Sequence, residues 1–197
     1  MAMHRRVPAP RFETARLILL PIGMDDAPRI QKLFANPNVL RHMNAVIPFP
    51  YPPDGAVSFL ETILPRIEAF ELYAWSIVER EMPEQGLIGS ITLDPLSEAD
   101  SRGFWLGEPY WRRGFMKEAT TAVTDFAFDE LGMDRLLLSN AEKNGASHRL
   151  KEISGAEVIG REEANFTGGP DISVKWRLTR GGWRSSPLKR GDVGDKS

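Results

Sequence analysis

The densest chemistry in this sequence lies in PYWRRGFMK, residues 109–117, where Trp111, Arg112, Arg113, Gly114 and Lys117 stand together. Cations gathered round a glycine suit a phosphate ester. The glycine lets backbone N–H groups approach closely, and the cations neutralise the ester's charge. Residues 103–108 read as a strand carrying Phe104, Trp105 and Leu106. A helix is predicted from Glu118, with Ala119, Ala122, Val123 and Phe126 on one buried face. Gly132 stands just past its end, where a left-handed residue closes a helix. First-turn N–H groups of a helix have no intrahelical acceptor, and the macrodipole adds positive potential at that end. A pyrophosphate suits such a turn; a solvated basic turn in an ordinary β-α unit is the plainer alternative. Neither G-x-x-x-x-G-K-[ST] nor G-x-G-x-x-G occurs, so this is neither a P-loop nor a dinucleotide fingerprint.

Elements able to hold that turn are legible on both sides of it. Residues 14–21, TARLILLP, read as a strand closed by proline. Asp25 or Asp26 can cap a short helix bearing Ile30, Leu33 and Phe34, which Pro37 ends. The proline-rich IPFPYPP leads to a second helix from Asp54, with an apolar stripe of Val57, Leu60, Ile63, Leu64 and Ile67 and a kink or end at Pro65. Residues 72–79 and 87–94 form a strand hairpin in which Gly89 marks a bulge or a close backbone approach. Residues 135–139 and 171–179 read as further strands, the last alternating Ile172, Val174, Trp176 and Leu178.

WLGEPYWRRGFMKEA resembles the acetyl-CoA-binding segment of the GNAT N-acetyltransferases, in particular the ribosomal-protein-alanine N-acetyltransferase (RimJ/RimL-like) branch. Trp105, Leu106, Gly107, Tyr110, Trp111, Gly114, Glu118 and Ala119 match that branch's pattern, with Phe115 for the usual Tyr. Arg112 stands where glycine is frequent. Met116 stands where Ala or Gly is the norm, which implies that its side chain points away from the phosphates or that the loop shifts. ETARLILLP, residues 13–21, and NGASHRLKEISGAEVIG, residues 144–160, are two further matches in the right order. In the second, Ile153 replaces Lys and Ala156 replaces Phe. The resemblance spans about residues 11–180.

The resemblance implies an α/β (α+β) GNAT fold: a mixed, mostly antiparallel sheet of six to seven strands flanked by about four helices. Trp105, Leu106 and Gly107 would line a splay between strands where pantetheine pairs with backbone. Arg112, Arg113, Gly114, Phe115, Met116 and Lys117 would hold the pyrophosphate. Asn144 would bond a pantetheine amide, although Asn-Gly is also a turn signal in itself. Ser147 would protonate the departing thiolate, or cap a helix at 148–154, or both. Arg149 would reach a CoA phosphate or stay solvated. The proton-accepting carboxylate would be Glu162 or Glu163, with Glu163 taken first and Glu108, Asp94 and Glu71 as alternatives. His42, Met43, Phe49 and Tyr51 fall in the expected acceptor loop, where each also reads as loop packing. The reaction would be direct acetyl transfer from acetyl-CoA to a primary amine, on a protein N-terminus or a small molecule. Two other readings stay open: an acyl-CoA-binding module with little or no catalysis, or another phosphate ligand at the basic turn.

Composition bounds these readings. A chain of 197 residues with 42% hydrophobic content suits one domain, here residues 11–180, between flexible ends at 1–10 and 181–197. The formal charge of −2 argues against nucleic-acid binding. With no cysteine there is no disulfide, thiolate metal site or cysteine nucleophile. No apolar run approaches membrane-spanning length and residues 1–10 lack a signal-peptide core, so the expectation is a cytoplasmic protein, monomer or homodimer. His4, His42 and His148 show no metal-ligand spacing, and no metal is expected. The RGD at 190–192 and the sequon at 165–167 carry no weight without secretion signals.

Overall fold

The computed structural model describes residues 5–192. Its strands are β1 (Phe12–Glu13), β2 (Leu17–Pro21), β3 (Tyr73–Glu79), β4 (Leu87–Leu93), β5 (Phe104–Leu106), β6 (Arg135–Ala141), β7 (Glu157–Phe166) and β8 (Gly169–Thr179). They form a five-stranded sheet in the order β1-β2-β3-β4-β5 and a three-stranded sheet in the order β6-β8-β7, with antiparallel pairings throughout. The strand count exceeds the expected six to seven because β1 is a two-residue hook and β7 is a strand that sequence patterning missed. That strand lies at a sheet edge with most of its residues exposed, so nothing forces an apolar alternation on it.

Among the described residues four helices have eight residues or more: α1 (Ala27–Phe34), α3 (Gly55–Glu68), α4 (Phe115–Asp125) and α5 (Gly145–Ile153). Short helices α2 (Pro37–Leu40), α6 (Arg180–Arg184) and α7 (Pro187–Arg190) complete the set. One face of the large sheet buries Ala74, Leu87 and Trp105 against Ile30, Leu40, Leu60 and Ile63 of α1 to α3. The other face buries Leu19, Trp75, Ile77 and Ile91 against Phe115, Ala119 and Val123 of α4, together with Leu136, Leu138 and Trp176 of the second sheet. Strand β3, between two layers, is buried at all seven positions, the polar Ser76 and Glu79 included.

Helix α4 begins at Phe115, three residues before the expected start, because Gly114 takes the left-handed conformation (φ 76°) that lets the chain turn directly into the helix. It continues as a π-helical turn at Phe126–Glu130 and closes at Gly132, also left-handed as expected (φ 72°).

The expected flexible ends need correction where they are described. Residues 181–192 are folded: Trp183 is 1% exposed and its Nε1 donates to Asp125 Oδ1 at 2.8 Å, while Lys189 Nζ reaches the same carboxylate at 2.7 Å. An indole is too large an apolar surface to leave in water when a helix face lies beside it. Residues 5–10 also dock, through Arg5 N–H to Leu131 O at 2.9 Å and Trp75 Nε1 to Pro10 O at 2.8 Å. The rest of the two expectations, at 1–4 and 193–197, lies outside the described residues.

Candidate active site

The segment leading into β5 is hydrogen-bonded to β6. Ser101 N–H donates to Leu137 O at 2.6 Å and Leu137 N–H donates to Ser101 Oγ at 3.1 Å. Beyond it β5 belongs to one sheet and β6 to the other, so the strands part in a V. Among the described residues, β4 is the one strand that pairs with β5. Gly103 O and Gly107 N–H both pair with the β4 strand, at 2.8 and 2.9 Å, which fixes the alternation. Phe104 and Leu106 therefore turn their backbone groups toward the open side. The Leu106 carbonyl is taken by Trp111 Nε1 at 2.8 Å, leaving its N–H facing the opening. Gly89 permits this closeness of β4 and β5, since a Cβ there would lie 2.3 Å from Trp105 O. Both readings of Gly89 hold, because the β3–β4 register also shifts beside it.

The V opens into a cleft of about 890 Å³. Of the expected cofactor residues, Trp105, Leu106, Arg112, Gly114, Phe115, Met116, Lys117, Asn144 and Arg149 line it, as does Ser147. Gly107 and Arg113 do not. Arg113 points away from the cleft along the surface, where its guanidinium pairs with the buried Glu79 carboxylate and stacks 4.4 Å over the Phe115 ring. Arg112 and Lys117 make no ion pair among the described residues and keep their charges for the cleft. Met116 packs partly against the main core and still contributes to the cleft wall. Arg112, where the resembled branch has glycine, adopts a left-handed φ of 61°.

A brace behind this turn joins two of the sequence matches. Glu118 accepts hydrogen bonds from Thr14 Oγ1, from Arg16 N–H at 2.7 Å and from Arg16 Nε at 2.9 Å. Arg16 Nη1 also donates to Arg113 O at 2.7 Å. Burial alone would raise the Glu118 pKa; the bonds from Thr14 and Arg16 outweigh it and hold the carboxyl below its usual range.

Across the V, α5 begins three residues earlier than the sequence suggested. Its cap is Asn144, whose side-chain oxygen accepts the Ser147 N–H at 3.1 Å. Ser147 is thus the third residue of the helix and not its cap, and the Asn144 carbonyl is engaged. Ser147 is 8% exposed, lines the cleft, and its Oγ accepts from Lys151 Nζ at 2.8 Å. Arg149 lies at the exposed rim and pairs with Glu152 at 3.3 Å. Lys151 was missed in sequence; its spacing of four from Ser147 on one helix was the available clue.

The far end of the cleft is closed by the loop after α2, tied to the β7–β8 hairpin. Ala45 N–H bonds Asn165 O at 3.1 Å, Thr167 N–H bonds Met43 O at 2.9 Å and Gly168 N–H bonds Arg41 O at 3.0 Å. A second cavity of about 350 Å³ lies there, lined by Arg41, His42, Lys143, Phe166 and Asp171 among others. His42 and Lys143, with Arg41, line both cavities. Burial and then the Arg41 charge lower the His42 pKa, partly offset by Asp171. Met43 also lines the main cleft, whereas Phe49 and Tyr51 line neither cavity; Tyr51 packs edge-on to Phe34 at 5.1 Å, the packing role.

The expected base is placed elsewhere. Glu163 is exposed on the edge strand β7 opposite Ile172 and lines neither cavity. Its neighbour Glu162 pairs with Lys175 at 2.9 Å. Asp94 pairs with Arg66 at 2.8 Å. Glu108 is held by the amides of Asn36 and Asn38 at 2.6 and 2.8 Å. Among the described residues no group of three or more His, Asp or Glu is arranged to hold a metal, and no helix is long and apolar enough to cross a membrane.

A split sheet, a strand with a free edge at the split and a helix N-terminus beside it make up the frame of the site. Residues 16–157 match the Acetyltransferase (GNAT) domain family, so the chain belongs to the GNAT acetyltransferases. It is 31% identical over 149 residues to the uncharacterized N-acetyltransferase YoaA of Bacillus subtilis (strain 168), covering 72% of this chain and 79% of YoaA. Its fold is similar to the ribosomal-protein-S5-alanine acetyltransferase of Vibrio fischeri, with TM-score 0.74 at 16% identity over 88% of this chain and 98% of that one. It is also similar to Mycobacterium smegmatis RimJ in complex with CoA-disulfide, with TM-score 0.74 at 13% identity over 88% and 87%.

Proposed function

We propose that the protein transfers acetyl directly from acetyl-CoA to a primary amine, with the thioester held in the V between β5 and β6. The observation that carries this reading is the free backbone edge of β5 opening onto a cleft that ends at the N-terminus of α4. The residues present suit that cosubstrate. Leu106 N–H is a donor placed to pair with an extended amide chain or to stabilise a thioester oxyanion. The first-turn N–H groups of α4, with Arg112 and Lys117, suit a pyrophosphate. Acetyl-CoA supplies the activated acyl group, so no covalent enzyme intermediate is needed. Ser147, held still on α5, donates its hydroxyl proton to the departing sulfur. His42, on the wall shared by both cavities, takes the proton from the attacking amine. Its lowered pKa keeps it neutral at lower pH than an ordinary histidine, as a base must be. It replaces Glu163 in that role.

The acceptor class is a primary amine, on a protein N-terminus or a small molecule. Its entry is the second cavity, between the loop after α2 and the β7–β8 hairpin. Thermal melting with acetyl-CoA, CoA and ATP tests the reading. Acetyl-CoA and CoA should raise the melting temperature where ATP does not, because only a ligand of the folded state stabilises it by mass action. An equal response to all three would mean a general phosphate site. Thiol release with a panel of N-terminal peptides and small amines then identifies the acceptor. His42→Gln should lower turnover by roughly 10²-fold or more and leave CoA affinity unchanged.

A further inference from the structure

Beneath Ser147 the interior is polar where a core would ordinarily be apolar. Lys151 is 2% exposed and Arg102 is 3% exposed. Lys151 Nζ donates to Ser147 Oγ at 2.8 Å and lies 5.6 Å from the centre of the Phe104 ring on β5. Arg102 Nη1 donates to Thr124 Oγ1 of α4 at 2.5 Å, and its Nε and Nη2 have no protein partner among the described residues. The charges acting on Lys151 come from the segment before β5: Arg102 repels it and the Asp100 carboxylate attracts it. Asp100 itself accepts from Ser139 of β6. On the α4 side the buried groups are the hydroxyls of Thr120 and Thr124.

A buried lysine is costly, and its stem alone does not explain it at a position where an apolar side chain would pack. The direction of its hydrogen bond is informative. While Lys151 is protonated it has donors only, so Ser147 is then the acceptor in this pair, and its own O–H is left for an acceptor in the cleft it lines. That is the orientation a proton donor to sulfur requires.

We propose that Lys151 is a positioning residue for thiolate protonation, holding the Ser147 hydroxyl proton toward the cleft and replacing it as it leaves. The inference rests on the role given to Ser147 above. When the tetrahedral adduct collapses, the C–S bond breaks and its electron pair goes to sulfur. The Ser147 O–H proton moves to that sulfur, and a Lys151 N–H proton moves to the Ser147 oxygen. The products are a free CoA thiol, an intact Ser147 hydroxyl and a neutral Lys151 amine, which regains a proton from solvent through Ser147 once the cleft empties. Such a transfer is near balance because burial, and then Arg102, lower the Lys151 pKa to about 7, against the pull of Asp100.

The test is kcat against pH, by thiol release at saturating substrates, for wild type, Ser147→Ala, Lys151→Met and the double variant, with CoA affinity measured by calorimetry. A group that must be protonated to act makes kcat fall as pH rises through its pKa. The wild type should show that fall above pH about 7, and Lys151→Met should lack it. Lys151→Met should also turn over roughly tenfold or more slowly with CoA affinity within about twofold of wild type. The double variant should be no slower than Ser147→Ala, because one residue acts through the other. Additive losses, or a falling limb retained in Lys151→Met, overturn the proposal alone. A Ser147→Ala enzyme at the wild-type rate overturns the Ser147 assignment and this proposal with it. If Lys151→Met does not fold, carbon-13 NMR of labelled lysine in the wild-type protein decides. Titration near 7 supports the proposal, and a side chain still protonated two units higher refutes it.

Discussion

Lys151 ties stability to pH independently of catalysis. The unfolded chain holds this proton up to lysine's ordinary 10.5, the folded chain only to about 7. Between those values the unfolded state binds more protons, so stability rises with pH. One such group contributes a slope of about 1.4 kcal/mol per pH unit within the window. Urea unfolding at several pH values across it should show the rise in the wild type, flattened in Lys151→Met. Asn144 carries two burdens at the same scale, since its oxygen caps α5 and its side chain lines the cleft. Asn144→Ala should cost about 1 kcal/mol of stability as a lost cap and weaken CoA binding in calorimetry. Asn144→Ser restores the cap and separates the two effects.

At the scale of elements, the turn into α4 is held from behind. Glu118 receives three hydrogen bonds from Thr14 and Arg16, and Arg16 also grips the Arg113 carbonyl. Glu118→Ala leaves the Arg16 and Thr14 donors without their acceptor and frees the turn. It should cost roughly 1–3 kcal/mol and raise the KM for acetyl-CoA more than it lowers kcat. Arg112 presents the opposite balance. Its left-handed backbone costs about 1–2 kcal/mol in a residue with a Cβ, while its guanidinium is free for phosphate. Arg112→Gly should leave the melting temperature unchanged or slightly higher and weaken CoA binding several-fold; Arg112→Ala should lose affinity without gaining stability.

Across the whole molecule, the C-terminal segment is part of the domain. Trp183 is buried against α4, and Pro187 and Asp192 reach the cleft wall. Trp183→Ala should cost about 3–5 kcal/mol, the usual range for deleting a buried aromatic, and denaturant melts would read it directly. A loss below about 0.5 kcal/mol, the size of a surface substitution, would show that the segment does not dock in solution. The cleft therefore takes wall residues from chain segments as far apart as Asn38 and Asp192, joined only when both sheets and the closing helices are in place.

By itself the sequence determined what depends on local spacing. The α4 stripe, the glycine after that helix, the alternation of β8 and the basic turn were legible because each is set by neighbours within a few residues. Three ordered matches pointed to the family, and Leu106, Gly114, Asn144 and Ser147 to the cleft. What required tertiary structure were the relations across the chain. Arg113 and Lys117 are both basic residues of one turn, yet buried Glu79, 34 positions before Arg113, claims only the arginine. Glu163 was a reasonable carboxylate in sequence, but the β7–β8 register leaves it on an exposed edge. His42 was one of four residues in the expected acceptor loop, and only the fold set it apart by placing it on the wall of both cavities. Trp183 sat in a stretch poor in apolar residues, where nothing local announces burial. Hydrogen-bond geometry and desolvation depend on what the fold brings within a few ångströms, and a strand pairing or a buried ion pair can bring together any two positions in the chain.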